Sequence, residues 1–384
     1  MDDFFPLMGW SHNSWLARPL SPEEDLKGIA ECGLTVTCFV EVKDLDLCSK
    51  YGLKAIISDP RLGYRWDGTI DRRMMEQNID SLVGEVGNHP ALYGYFLTDE
   101  PTPETYVREY ENLAIVVKAL RDRTPDKLAY VNLLPNFVFN LKTNEYEKYV
   151  REYVERLSAR FLSYDDYSLF EDGSLRYSYF DNLEVMNRIS HEYDIPFWHI
   201  LLSVPHFNYR EPSEADMRFQ VYTSLAYGAK GISYFTYHTP NVGNYRNAPI
   251  DWFGKRTPLW YVMQRLNSQI KTLAPILMKL RSTGVYHWPD VPCGGKRLPG
   301  DTLVKGVRSR TGPCNFLIGE FAHEDGTRYV MLVNLSLSNS TRFEIEVESK
   351  YQLYRVSSYS GVAQPIGRED WWLAPGQGVL LKLI

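Results

Sequence analysis

Cysteine is scarce and odd in number. The 384 residues hold five, Cys32, Cys38, Cys48, Cys293 and Cys314. None forms a C-x-x-C pair and none has histidines at zinc-finger spacing, which argues against a disulfide framework and a structural zinc. No run approaches 18 apolar residues, so no helical membrane span is expected. A basic excess is missing as well. Against 42 Lys and Arg stand 48 Asp and Glu, a net charge of -6, and the cations are scattered, which leaves no footprint for nucleic acid or an anionic membrane. The start, Met1-Asp-Asp-Phe-Phe-Pro-Leu-Met, has acids where a signal peptide needs bases. As written the chain is expected to be cytoplasmic, although a periplasmic or secreted chain whose leader had been removed would read the same. No glycine-rich phosphate turn follows the first expected strand, so a nucleotide cofactor is not expected. Oligomeric state is left open.

Aromatic residues, by contrast, are abundant: 27 Tyr, 17 Phe and 9 Trp make up 14% of the chain. Flat rings with a polar tip suit ligands that are apolar on one side and hydroxylated on the other, as sugars are, although packing must account for most of them. A hydrophobic fraction of 44% and a charged fraction of 23% are those of a soluble globular protein. At this length one large domain plus a small one is expected.

From residue 4 to about 281 the pattern is strand then helix. Expected strands are 5–10, 34–40, 53–58, 92–97, 128–133, 160–164, 196–204 and 232–237. Ser21-Pro22-Glu23-Glu24 reads as a capping box with proline at the first helical position, and Ser213 with Asp216 as a second helix start. Thr102-Pro103-Glu104 reads as another, with Thr102 as the cap. Eight such pairs match a (β/α)8 barrel over residues 1–282. A doubly wound open sheet is the alternative. Beyond that point the period becomes two, with short β-branched and aromatic runs between Gly, Pro, Asn and Ser, which predicts a small antiparallel β-sandwich over 283–384.

Ala91-Leu-Tyr-Gly-Tyr-Phe-Leu-Thr-Asp-Glu-Pro101 ends a strand without polar alternation in two adjacent carboxylates. Parallel barrels place their chemistry at that strand end. The other expected strand ends supply His12 and Asn13, Glu41, Asp59 with Arg61, Asn132, Asp165 and Asp166, Ser203 and His206, and Tyr237 with His238. Carboxylates, amides and aromatics around one mouth are what glycosidic bond hydrolysis requires, since one carboxyl protonates the leaving oxygen while another attacks or activates water. The candidate catalytic residues are therefore Asp99, Glu100, Asp165 and Asp166. Candidates for contacting substrate are His12, Asn13, Asp59, Asn132, Tyr164, Trp198, His206 and Tyr237, with Trp10, Trp15, Trp66 and Trp252 as further stacking candidates. His12, His206 and His238 could form a metal site, but no H-x-H or H-E-x-x-H spacing is present, and the lining of a sugar pocket is the expected role. Ser203 and His206 lack a G-x-S-x-G turn and make no triad.

A barrel whose fourth strand ends in a polar residue followed by Glu, trailed by a β-sandwich, resembles clan A glycoside hydrolases, most closely the family 5 and family 42-like barrels of gut bacteria. In motif the resemblance rests on Gly94 to Pro101 and, more loosely, on Ala226-Tyr-Gly-Ala-Lys-Gly-Ile-Ser-Tyr-Phe235. It implies that Glu100 is the general acid or acid/base, with Asp99 where those families usually carry Asn. Their nucleophilic Glu at the seventh strand has no counterpart in Trp198-His-Ile-Leu-Leu-Ser-Val-Pro-His206. Asp165 or Asp166 is then the expected second carboxylate. A short side chain two strands away favours a wide gap and inversion of configuration. The competing expectation is a catalytically silent carbohydrate-binding barrel.

Overall fold

The computed structural model describes residues 4–10, 13–63, 66–140, 142–367 and 371–384. Eight parallel strands, β1 (Leu7–Trp10), β2 (Val36–Val40), β3 (Lys54–Ile57), β4 (Leu92–Asp99), β5 (Leu128–Asn132), β6 (Leu162–Asp165), β7 (Phe197–Leu202) and β8 (Gly231–Phe235), run in the order β5-β4-β3-β2-β1-β8-β7-β6. The ring closes between β5 and β6, where Leu133 N donates to Ser163 O at 2.8 Å. Helices α1 (Pro22–Glu31), α2 (Leu45–Lys50), α3 (Arg72–Val86), α4 (Tyr106–Arg123), α5 (Thr143–Leu157), α6 (Tyr179–Tyr193), α7 (Glu214–Ala226) and α8 (Pro258–Leu277) follow the strands in turn. The fold is a (β/α)8 barrel followed by a small antiparallel β-sandwich.

Local sequence explains most helix starts. Ser21 and Glu24 exchange backbone and side-chain hydrogen bonds across the first turn of α1, and Ser213 and Asp216 do so at α7. The expected start at Thr102 is overturned. Residues 102–105 form a turn in which Tyr106 N donates to Thr102 O at 2.8 Å, and α4 begins at Tyr106. Two prolines flank Thr102, and tight turns accept proline as readily as helix starts do.

Inward-facing side chains fill the lower barrel with rings. Trp198 lies against Tyr93 (6.1 Å, near parallel), Phe161 (5.2 Å) and Tyr130 (6.0 Å). One step higher, Trp10, Phe39 and Phe96 meet at 4.5 to 5.9 Å. Gly231 makes room for this floor, because a Cβ there would sit 2.5 Å from the Trp198 ring.

The antiparallel part begins with β9 (Leu280–Trp288), earlier than the change of period suggested, because its first half is polar and Gly-containing. Strands β11 (Phe316–His323), β12 (Arg328–Asn334), β14 (Leu353–Val356), β15 (Ala363–Pro365) and β17 (Gly378–Leu383) join β9 in a six-stranded sheet. The second sheet holds β10 (Val304–Ser309), β13 (Thr341–Val347) and β16 (Trp372–Leu373). The six-stranded sheet packs on α7, whose Met217, Phe219, Val221, Tyr222 and Leu225 are all buried because the helix is covered by the barrel on one side and by the sheet on the other. A Cβ on Gly319 would lie 2.2 Å from Ala226 O, so the strand can approach the helix this closely only as glycine. Among the described residues no helix is long and apolar enough to cross a membrane.

Candidate active site

Period-two alternation should turn neighbours to opposite faces, yet Asp99 and Glu100 both reach the barrel mouth. Two backbone irregularities bring this about. The β4–β5 register slips between Phe96 and Thr98, so that Asp99 pairs with the inward-facing Asn132. Glu100 then adopts φ 49, a left-handed conformation that costs a non-glycine residue about 1 to 2 kcal/mol, and its N–H donates to Asn132 O at 2.9 Å. Strain of this kind concentrates at functional sites.

Asn132 is the hub of the mouth. Its Nδ2 donates to Asp165 Oδ1 at 2.8 Å and to Asp99 Oδ1 at 3.1 Å, while its Oδ1 accepts from Ser163 Oγ at 3.2 Å. With the Ser163 proton committed there, the Tyr130 hydroxyl, 2.7 Å away, donates to Ser163. The chain Tyr130, Ser163, Asn132 thus aims its dipoles at the carboxyl groups.

Glu100 and Asp165 are in side-chain hydrogen-bond contact. Carboxyl groups in such contact disfavour a second negative charge, so the pair tends to keep one proton. Burial raises the proton affinity of both, although for Glu100 the hydrogen bond with Asp165 works against it. For the deeply buried Asp165 the charges of Glu100 and Asp99 raise it further, against the pull of Asn132. Asp99 is exposed to the cleft, yet the protein packed around its carboxyl group and the charge of Glu100 push it up to about 7. The half-buried Tyr167 holds its phenolic proton tightly, first through burial and then through the charges of Asp165, Glu100 and Asp99. An open cleft of about 610 Å³ leads to Asp99 between Trp10, Trp15, Phe235, Asn241 and Tyr245.

Asp166 turns away from this group. It is buried, accepts from Ser168 Oγ at 2.6 Å and lies 3.7 Å from Arg176 Nε; burial lifts it to about 6 despite those two partners. The contact between Glu100 and Asp165 runs against the wide carboxyl gap expected on sequence grounds.

Several substrate-contact candidates are committed to the scaffold. Both ends of the Asn13 amide hold the backbone of Leu20, at 2.6 and 2.9 Å. Asp59 caps the turn at Pro60 and grips Arg61 through both oxygens at 2.8 Å. Tyr164 faces the helical layer and stacks on His199 at 4.5 Å, Trp198 forms the barrel floor, and the Tyr237 hydroxyl accepts from Trp260 Nε1 at 3.0 Å. The outward alternate position of β6 puts Tyr164 under the helical layer, where rings pack best, and Tyr237 meets Trp260 of α8. Trp66 and Trp252 donate their indole N–H groups to Leu97 O and Pro240 O. His206 is at the rim, buried, with Nδ1 2.9 Å from Val204 O and its ring stacked on Tyr245 at 4.7 Å; burial lowers its proton affinity. His238 pairs with Asp25 at 2.8 Å, away from His206. His12 lies outside the described residues, among which no cluster of His, Cys, Asp or Glu is arranged to hold a metal.

Sequence reasoning passed over Tyr167, Arg176 and Tyr245. Tyr167 follows Asp165 by two residues and could have been found by extending the alternation of β6. Tyr245 sits in a loop with no periodic signal. Arg176 donates to Tyr167 O at 3.1 Å and to the Tyr209 hydroxyl at 2.7 Å, contacts that arise only when the loop folds back.

No family model matches the sequence, and no curated protein matches it. Solved structures do match in shape. A glycoside hydrolase family 5 protein from Bacteroides vulgatus ATCC 8482 superposes with a TM-score of 0.55 at 12% identity, over 99% of this chain and 89% of that one. Another glycoside hydrolase gives 0.54 at 13% identity, over 99% and 92%. These two glycoside hydrolases share the barrel-and-sandwich architecture of this chain. A β-galactosidase from Marinomonas ef1 gives 0.51 at 13% identity over 70% of this chain, which spans 60% of that protein's length. At these identities the likeness is one of fold, and the carboxyl geometry carries the chemical argument.

Proposed function

We propose that the protein hydrolyses a glycosidic bond in an oligo- or polysaccharide, with Glu100 as the general acid. The observation that carries this reading is the meeting of the Glu100 and Asp165 carboxyl groups at the end of a polar chain, beside a third carboxyl group open to the cleft. Glu100 is the half-buried member of the pair, the one a glycosidic oxygen entering from the cleft can reach. As the C–O bond breaks, its electrons leave with the departing oxygen, which takes the proton from Glu100. Asp165 behind it is the second carboxyl of the pair; its burial and the charges of its neighbours keep one proton on the pair for Glu100 to deliver. Asp99 faces the opened anomeric carbon as a carboxylate, where it stabilises the oxocarbenium-like charge and attacks or deprotonates water. Asn132 orients both aspartates.

The test is hydrolysis of a panel of aryl glycosides and plant oligosaccharides by the wild-type protein. Release of sugar at rates well above an Asp99→Asn, Glu100→Gln double variant supports the assignment, and equal rates sink it. One observation favours a second reading. The chain beyond β7 runs Val204-Pro205-His206 with no carboxylate, as in a carbohydrate-binding barrel without turnover. Tight binding of panel sugars with no cleavage over days would select that reading.

A further inference from the structure

The loop after β7 carries an unusual residue. Phe207 is 69% exposed, and its backbone is left-handed at φ 49. Water disfavours the exposed ring and the Cβ disfavours the backbone, so something must hold both in place. The holder is Asn244 from the loop after β8, whose Oδ1 accepts from Phe207 N and whose Nδ2 donates to Phe207 O, each at 2.8 Å. The same loop is tied down at two more points. Arg246 pairs with Glu171 at 3.1 Å, and Asn247 Nδ2 donates to Glu211 at 3.0 Å. Three rim loops are thereby stitched together around one ring that has little packing of its own.

The ring is continuous with the site. Phe207 meets Tyr245 edge to face at 6.1 Å, Tyr245 stacks on His206 and lies 6.4 Å from Phe235, and Phe235 and Tyr245 line the cleft that reaches Asp99. The wall from carboxylate to rim is therefore aromatic, with Val242, 64% exposed, beside it. A flat, rigid, apolar face next to a cleft that ends in hydrogen-bonding groups matches the apolar face of a pyranose ring.

We infer that Phe207, clamped by Asn244, is the stacking platform for a further sugar unit of the substrate, so that the ligand is an oligosaccharide of at least two pyranoses and not a simple monoglycoside. This rests on the carbohydrate reading of the cleft, though not on turnover. The test is calorimetric titration of Glu100→Gln protein with trisaccharides of glucose, xylose, mannose and galactose and with the four monosaccharides, in the presence and absence of Phe207→Ala. The expected result is a trisaccharide that binds more tightly than its monosaccharide, about 10-fold weaker trisaccharide binding in the alanine variant with the monosaccharide unchanged, and recovery in Phe207→Trp. Asn244→Ala should give part of the same loss, because the ring is no longer held. Trisaccharide affinity indifferent to Phe207, or no binding by any sugar of the panel, overturns the inference. Wild-type hydrolysis is measured in parallel: Phe207-dependent binding without cleavage leaves the platform standing and removes the catalytic reading instead.

Discussion

The two halves of the barrel interior are built on the same strands and have opposite chemistry. Along β6 and the residue before it the inward positions run Phe161, Ser163, Asp165, and on β5 they run Tyr130, Asn132. Two residues along a strand, about 7 Å, separate a ring packed among rings from a group that holds a proton. The lower half needs only the hydrophobic effect and fitting shapes. The upper half buries carboxyl groups, which is tolerated because Asn132, held by Ser163, donates to them and burial raises their proton affinity.

The sharpest way to break the contrast is in the upper half. Glu100→Gln keeps the shape and removes the transferable proton, so kcat on a substrate with a poor leaving group should fall roughly 10²- to 10⁴-fold with little change in unfolding midpoint. Undiminished turnover would place the acid elsewhere.

In the lower half the effect should be on stability. Trp198→Ala opens a hole under Tyr93, Phe161 and Tyr130 and should cost about 3 to 5 kcal/mol in chemical denaturation, the usual price of a buried Trp to Ala change. A cost below about 1 kcal/mol would mean the floor collapses around the gap, and the two halves would differ less than proposed.

The hub residue sharpens the comparison by pH. The Asn132 hydrogen bond lowers the proton affinity of Asp99, which sits at about 7. Asn132→Ala should therefore move the rise of activity with pH upward by up to about one unit. Stability has its own sign. A carboxyl group raised in the folded state binds protons more tightly there than in the unfolded chain, so its contribution is fully present below the unfolded pKa and is lost as pH rises through about 7. Asp99→Asn should flatten the fall in unfolding free energy between about pH 4 and 7. A slope unchanged by that variant would show that Asp99 does not titrate in this window.

The smallest effect is expected at a carboxylate outside the mouth. Asp59→Asn should leave kcat unaltered and cost about 1 kcal/mol or less, the worth of a half-buried cap and ion pair to Arg61. A large loss of activity would return Asp59 to the site.

Barrel and sandwich were legible in the sequence because each strand and helix carries its own period and caps within a few residues, as Ser21 with Glu24 and Ser213 with Asp216 show. The start of α4 was misread since the prolines around Thr102 suit a turn and a helix equally. Strand β9 escaped notice, its first half being polar. Asn132 and Asp165 stand at the barrel mouth, where the strand-end rule put them, while Tyr164, Trp198 and Tyr237 were drawn in only because aromatics near strand ends cannot be assigned a face until the register is known.

From sequence alone followed the number and order of strands, the antiparallel tail and the pair Asp99-Glu100 at the end of the fourth strand, all of them consequences of local pattern. Tertiary structure decided which carboxyl groups meet. A one-residue slip between β4 and β5 turns Asp99 inward, a left-handed Glu100 brings its side chain to Asp165, and Asp166, one residue further on, is carried to Ser168 and Arg176. The contacts among Asp99, Glu100, Asn132 and Asp165 join residues 30 to 70 positions apart, and the proton affinities that give them chemical meaning depend on burial and on neighbouring charge, quantities that exist only once the barrel has closed.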